Sequence, residues 1–317
     1  MKAQAKASPD APAKLLQSLR FHWPRASPLP DWQTNRQAVQ VDGGRSGQAS
    51  SPFYVYLPNP QTVFPPAPLP FANDNYLWWL PNPDSGPLLV DPGDAAPVLA
   101  RFGDGPAPCA ILLTHHHGDH IGGVPALLTH WPDTPVFAPH DARIALASQR
   151  VAAGDRVQVG DYDFAVMQVH GHTRSHIAYY GHGLLFCGDA LFSLGCGRMF
   201  EGDPATMLAS LDRLAALPGD TLLCCAHEYT LANAAFARVV MPHNAALATR
   251  IAKAQAQRQA SLPTLPVPLS SELAANPFLR IDDADVRTAI AVHLGRDVTD
   301  RVEAFACLRR WKDDFRA

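Results

Sequence analysis

The run Thr114-His115-His116-His117-Gly118-Asp119-His120 packs four histidines and one aspartate into six positions. Neutral imidazole nitrogens beside carboxylate oxygens suit zinc, iron or manganese. The preceding "AILL" reads as a buried strand, and side chains alternate along an extended chain. His115, His117 and Asp119 are therefore expected on one side, with His116 on the other. His120 serves a second centre if the chain turns at Gly118. Closed structural zinc sites are usually cysteine-rich, and this segment has no cysteine. A tag-like histidine tract would not follow a core strand and lead into "IGG" and an apolar helix.

More candidate ligands lie downstream. "MQVHGHTRSHIAYY" supplies His170, His172 and His176, "LLFCGDALF" supplies Asp189, and "TLLCCAHEYT" supplies His227. Each stands at the end of an expected core strand. A histidine or aspartate alone is more often structural; together these extend one pattern, with ligands where strands meet loops.

The elements that must position them are short strands. "NYLWWL", "PLLVD", "CAILLT", "PVFA", "YDFAVMQV", "HIAYY", "LLFCGD" and "TLLCCAH" are rich in β-branched, aromatic or aliphatic residues. "NPDSGP", "GDGP", "VGD" and "GHG" supply the turns. The clearest helix between strands runs from Pro204 to Leu217, capped by Asp203 and stopped by Pro218-Gly219. Met207, Leu208, Leu211, Leu214 and Ala215 form its buried stripe. Mixed strands and helices imply an α/β layered fold. After His227 the chain turns alanine-rich and helical. "LANAAFARVV" and "NAALATRIAKAQAQRQ" are followed by a Pro-rich link, "SLPTLPVPLS". Two more helices are expected in "DADVRTAIAVHL" and "VTDRVEAFACLRRWKDDF".

Residues 1–58 carry seven prolines and seven Lys/Arg against three Asp, without sustained apolar periodicity. They read as a mostly disordered extension: a non-functional leader, a wrongly assigned start or, as the sharper reading, a transit peptide. The remainder divides into a catalytic domain over 59–229 and a helical subdomain over 230–317. The formal net charge of −3 gives no sign of a nucleic-acid-binding surface. No apolar run approaches 18 residues, so no transmembrane helix is expected. None of the six cysteines forms a CxxC pair, and four sit in apolar runs, as in a reduced cytoplasmic protein.

In the order "THHHGDH", "GHTRSH", "GDALF", "CAHEYT", the sequence resembles the metallo-β-lactamase fold family. Within it, the match is to glyoxalase II, the hydroxyacylglutathione hydrolases. The likeness covers about residues 61–317 and includes "GCGRMFEG", "LPTLPVPL", "NPFLR" and "LRRWKDDF". It implies a four-layer αββα metallo-β-lactamase fold with a C-terminal helical subdomain that binds glutathione. It also implies two divalent metal ions, zinc first and iron or manganese as alternatives. By motif match, His115, His117 and His172 hold one ion, Asp119, His120 and His227 the other, and Asp189 bridges them. Asp91 in "LVDPG" supports the ligands from behind. The implied reaction is hydrolysis of S-D-lactoylglutathione to D-lactate and glutathione, the second step of methylglyoxal detoxification. A metal-bridging hydroxide attacks the thioester, and Asp119 takes the water's proton. The implied substrate contacts are Arg198, Phe200, Tyr229, Asn233, Arg309 and Lys312. The implied protein is a cytoplasmic monomer acting on a small glutathione thioester, with no nucleic-acid or membrane partner. The sequence departs from the family pattern at Ser175, usually glycine, and at Ala190, commonly threonine. A glutathione persulfide dioxygenase and a broader thioesterase are the alternatives; the long helical tail weighs against the dioxygenase.

Overall fold

The computed structural model describes residues 65–82 and 85–316. The extension expected over 1–58 lies outside the described residues. In chain order the elements are β1 (Ala67–Phe71), β2 (Asn75–Leu80), β3 (Leu88–Val90), α1 (Ala96–Phe102), β4 (Ala110–Leu112), α2 (Gly118–Ile121), α3 (Val124–His130), β5 (Val136–Pro139), β6 (Gln149–Val151), β7 (Arg156–Val159), β8 (Tyr162–Gln168), β9 (Ile177–Gly181), β10 (Leu184–Gly188), β11 (Leu191–Phe192), β12 (Gly195–Cys196), α4 (Pro204–Ala215) and β13 (Leu222–Cys225). The tail adds α5 (Thr230–Val240), α6 (Ala245–Gln259), β14 (Val267–Pro268), α7 (Leu269–Ala275), α8 (Ala284–Leu294) and α9 (Arg301–Asp314).

Strands β1 to β6 form one sheet in sequence order, and the second is ordered β14-β13-β10-β9-β8-β7. Every residue of β2 is buried, because both faces of its sheet are covered. Leu77 and Trp79 join the core that α1 and α3 close with Val98, Val124 and Leu127. Trp78, one position along, faces the second sheet, 6.3 Å from the Phe186 ring, and donates its indole N–H to the Cys225 carbonyl at 3.0 Å. This is the α/β layering expected. Phe164 and Phe186 of the second sheet pack edge to face. A buried aromatic at such a position contributes about 3–5 kcal/mol on truncation to alanine.

Six strands escaped the pattern, β1, β6, β7, β11, β12 and β14, and two of them contain proline. β1 ("APLPF") and β14 ("VP") are each the outermost strand of a sheet, where a missing N–H costs no ladder bond. The expected Pro-rich link is thus partly a strand, antiparallel to β13, and it leads directly into α7. Helix α4 begins as expected, with Asp203 accepting the Thr206 N–H at 2.8 Å. It ends at Ala215 rather than Leu217, and Ala215 is only half-buried.

The register gathers the strand ends. β3, β4 and β5 are parallel, while β2 is antiparallel to β3, so the start of β2 joins the C-terminal ends of β3 and β4. In the second sheet β9 is antiparallel to both β8 and β10, and β10 is parallel to β13. The ends of β8, β10 and β13 therefore open on one side.

Candidate metal centre

Strand β4 stops at Leu112, and His117 is already the N-cap of the one-turn helix α2. The two-residue alternation holds only to His117. His115 Nε2 and His117 Nδ1 lie 3.0 Å apart, while His116 turns away to within 3.7 Å of Asp141 and 3.9 Å of Glu201. The expectation for Asp119 is corrected here. It sits in the first turn of a helix, not on an extended chain, and faces His120 and His227 instead of the His115 side. Gly118 is where the chain turns.

The other candidate ligands arrive from three strand ends. His172 Nε2 lies 3.0 Å from His117 Nδ1, completing a group with His115. His227 Nε2 stands 3.4 Å from Asp119 Oδ2, and His120 Nε2 stands 3.8 Å from the same oxygen, forming a second group. Asp189 lies between. Its Oδ1 is 3.3 Å from His227 and 3.4 Å from His120, and its Oδ2 is 3.5 Å from His172. A register shift after Phe186 releases Asp189 from β10. Gly188 permits it with φ of +49°; a Cβ there would meet Thr114 Oγ1 at 2.3 Å.

These residues fit metal ions. His120 Nε2 and Asp189 Oδ1 are buried without hydrogen-bond partners and point at each other's group. Ligand atoms 3.0–3.5 Å apart match the edges of a shell with bonds of about 2.0–2.2 Å. The opposite ring nitrogens are tied down, which fixes the tautomers. Thr114 gives its hydroxyl to Asp91 at 2.7 Å, so His115 Nδ1–H donates to the Thr114 oxygen at 3.0 Å. His120 Nδ1 donates to Asp91 at 3.0 Å, His172 Nδ1 to the Arg198 carbonyl at 2.8 Å, and His227 Nδ1 to Asp74 at 3.0 Å. Asp91 thus supports the ligands as expected, from a left-handed backbone with φ of +50° that a non-glycine residue adopts only when held.

Electrostatics follow the packing. Burial, with His120 and His176 nearby, holds the His115 imidazole well below its usual range. Burial and His172 lower His117 to about 4. Burial opposes a charge on His120, yet Asp189 and Asp91 push it up to about 10. The His227 imidazole beside it, with His120 and the Asn75 amide N–H, holds the Asp119 carboxyl well below the ordinary range. The cluster thus calls for positive charge near Asp189, which a cation provides.

Of the other candidate histidines, His176 is buried, stacks 4.5 Å from His115 and accepts the Asp189 N–H at 3.3 Å. It shapes the site without joining either group of ligands. His170 pairs with Gln168 at 2.9 Å and lines a separate groove with Asp141 and Arg174. Asp74 and Asn75 went unnoticed in the sequence. Asn75 Nδ2 donates to Asp119 at 3.0 Å and stands 3.5 Å from His227. Polar residues opening an apolar strand, "NDNYLWWL", were the available signal.

A cleft of about 480 Å³ opens beside His172 and Asp189 and is lined by Arg198, Phe200, Tyr229, Asn233, Arg309 and Lys312. Arg198 and Phe200 are exposed, their side chain and residue 64% accessible respectively. Phe200 meets the His172 ring edge to face at 5.3 Å, and Tyr229 stacks flat on His227 at 4.6 Å. Lys312 is half-buried with no hydrogen-bond partner among the described residues, its ammonium 5.8 Å from the Phe236 ring. Arg309 is more committed: it is buried, gives Nη1 to the Cys196 carbonyl at 2.8 Å and Nη2 to Asp313 at 3.0 Å. Asn233 gives Nδ2 to the Ser193 carbonyl at 3.1 Å. Ser175 donates to Asp141 at 2.6 Å, and His172 keeps its place among the ligands.

Among known proteins, the metallo-beta-lactamase superfamily model matches residues 73–227, and the model for the hydroxyacylglutathione hydrolase C-terminus matches 228–315. A hydroxyacylglutathione hydrolase of Xanthomonas campestris pv. campestris (strain B100) is 57% identical over 250 residues, covering 78% of this chain and 98% of the relative. One from Xylella fastidiosa (strain M12) is 56% identical over 248 residues, covering 78% and 96%. The crystal structure of a metallo-beta-lactamase from Staphylococcus aureus subsp. aureus COL, 15% identical, superposes with a TM-score of 0.51 over 79% of this chain and 72% of that one, a likeness of fold alone. The His/Asp cluster is a divalent-metal site. The chain belongs to the hydroxyacylglutathione hydrolase, or glyoxalase II, family of the metallo-beta-lactamase superfamily.

Proposed function

We propose that the protein hydrolyses S-D-lactoylglutathione and related 2-hydroxyacyl-glutathiones to the 2-hydroxy acid and glutathione. The observation that carries this is the joining of the His/Asp cluster to a cationic cleft formed with the C-terminal tail. The hydrolase relatives share more than half their residues with this chain. His115, His117 and His172 would hold one ion and Asp119, His120 and His227 a second, with Asp189 between them. Two ions, zinc in the first place and iron or manganese otherwise, suit this donor set. When bound, divalent metal supplies the Lewis acidity that activates water and polarises a thioester carbonyl.

The chain's own groups do the rest. Asp119, with a side chain 46% accessible and ionised beside His227, is placed to accept a proton from attacking water. It is a weak base, so the metal's help is needed. The departing thiolate has a pKa of about 8.5 and needs little protonation. Glutathione carries two carboxylates, and Arg198, Lys312 and Arg309 bring cations to the cleft for them. Phe200 and Tyr229 wall the cleft beside the ligand rings, and Asn233 lines it.

The same reading divides the chain into a catalytic domain over 59–229 and a glutathione-binding subdomain over 230–317. It makes the protein a cytoplasmic monomer without nucleic-acid or membrane partners. Its six cysteines are all free, as a reducing compartment would keep them. Among the described residues, no helix is long and apolar enough to cross a membrane. Purified protein should hydrolyse S-D-lactoylglutathione in proportion to its metal content. Turnover no faster than that of an unrelated thioester would overturn the assignment.

A further inference from the structure

Ser193 and Leu194 form the turn between β11 and β12. This hairpin starts two residues after Asp189 and ends two before Arg198. One end therefore carries a metal-facing carboxylate and the other a cleft cation. Three tail helices close around the turn. Asn233 of α5 donates to the Ser193 carbonyl, and Arg250 of α6 donates Nη2 to the Ser193 hydroxyl at 3.0 Å. Glu272 of α7 accepts the Ser193 hydroxyl at 2.7 Å and the Leu194 N–H at 2.6 Å. Asn276, which ends α7, donates to the carbonyls of Phe192 at 3.1 Å and Gly195 at 3.0 Å.

All of these side chains are buried, Glu272 and Asn276 completely. Leu194 sits at φ of +59°, a conformation that a leucine keeps only when its surroundings hold it. The Ser193 hydroxyl stands between the carboxylate of Glu272 and the guanidinium of Arg250, so two buried charges are joined through one small hydroxyl. Buried charge is costly to place and strongly dependent on geometry. An apolar contact could slide by a fraction of an ångström; this set of directional bonds cannot. Neither Glu272 nor Ser193 lines the cleft or faces the ligand cluster.

We propose that Ser193 and Glu272 are positioning residues. Their socket fixes the register between the tail, which carries Arg309 and Lys312, and the segment from Asp189 to Arg198. The metal end and the cationic end of the cleft then stay a set distance apart. This rests on the glutathione thioester reading, because only a substrate that spans both ends senses that distance.

The test compares Glu272→Gln and Ser193→Ala with the unaltered protein on two substrates. One is S-D-lactoylglutathione; the other is a D-lactoyl thioester of a small uncharged thiol, which reaches the ligands but not the cations. Metal content and melting temperature are measured alongside. KM for the glutathione thioester should rise about tenfold. Its kcat, the kcat/KM of the small thioester and the metal content should stay within about twofold. Equal losses on both substrates, loss of metal, or an unchanged KM would each overturn the proposal. Should Glu272→Gln not fold, Ser193→Ala, which removes one hydroxyl, decides alone. The unaltered protein's preference between the two substrates reports separately on the glutathione reading.

Discussion

Asp189 Oδ1 meets His227 Nε2 across 3.3 Å where the parallel strands β10 and β13 end side by side. With Oδ2 facing His172 at 3.5 Å, one carboxylate touches both groups of ligands. Asp189→Ala should therefore lower metal content in both, and kcat/KM should fall at least about a hundredfold. Metal analysis and kinetics on the same preparation check this; full activity in a metal-depleted variant would sink the shared-ligand reading.

His116 and His117 are neighbours with opposite fates. His117→Ala removes a nitrogen 3.0 Å from both His115 and His172, so metal should be lost. His116→Ala should keep the metal, because that ring faces Asp141 and Glu201. Equal metal loss in the two variants would contradict the geometry.

Asp74 holds His227 by the nitrogen that faces away from the ligand cluster. Asp74→Asn should weaken metal affinity about 10- to 100-fold while leaving the fold intact. Competition with a chelator measures the affinity, and an unchanged value would remove Asp74 from the site's support.

Arg309 and Lys312 should separate on substitution. Lys312→Ala removes an ammonium with no hydrogen-bond partner among the described residues, so KM should rise with kcat and melting temperature nearly unchanged. Arg309→Ala also strips the buried Cys196 carbonyl of its donor, at a cost of about 1–3 kcal/mol. Its melting temperature should fall by about 5 °C in addition to the KM effect. If neither variant moves KM, the tail lies outside the binding site.

Glu201 pairs with Arg143 and accepts the Arg174 N–H at 2.9 Å, which together push its carboxyl down to about 2. Because the folded value lies below the unfolded one, this pair stabilises the protein above the ordinary carboxyl range. The contribution fades as pH falls towards 2. Arg143 is half exposed, so solvent screening keeps the effect under about 1 kcal/mol. Arg143→Ala should melt slightly below the unaltered protein at neutral pH and converge with it in acid. A gap that widens in acid would have the wrong sign.

The sequence by itself determined the donor types, the α/β class and the expectation that ligands stand at strand ends. Those are local properties: a histidine remains a ligand type wherever it lies, and alternation separates His116 from its neighbours. Tertiary structure decided the partners. Asp119 changed sides because a one-turn helix rotates residues by about 100°, where a strand alternates by 180°. Asp74 and Asn75 joined the site only because β2 runs antiparallel to β3 and brings its start to the ligand end. The strands β1 and β14 were hidden by proline, which is excluded from central strands yet tolerated at the two sheet edges they occupy. Sheet order, register and the docking of the tail against Ser193 join residues dozens of positions apart, and no local pattern in the chain encodes those distances.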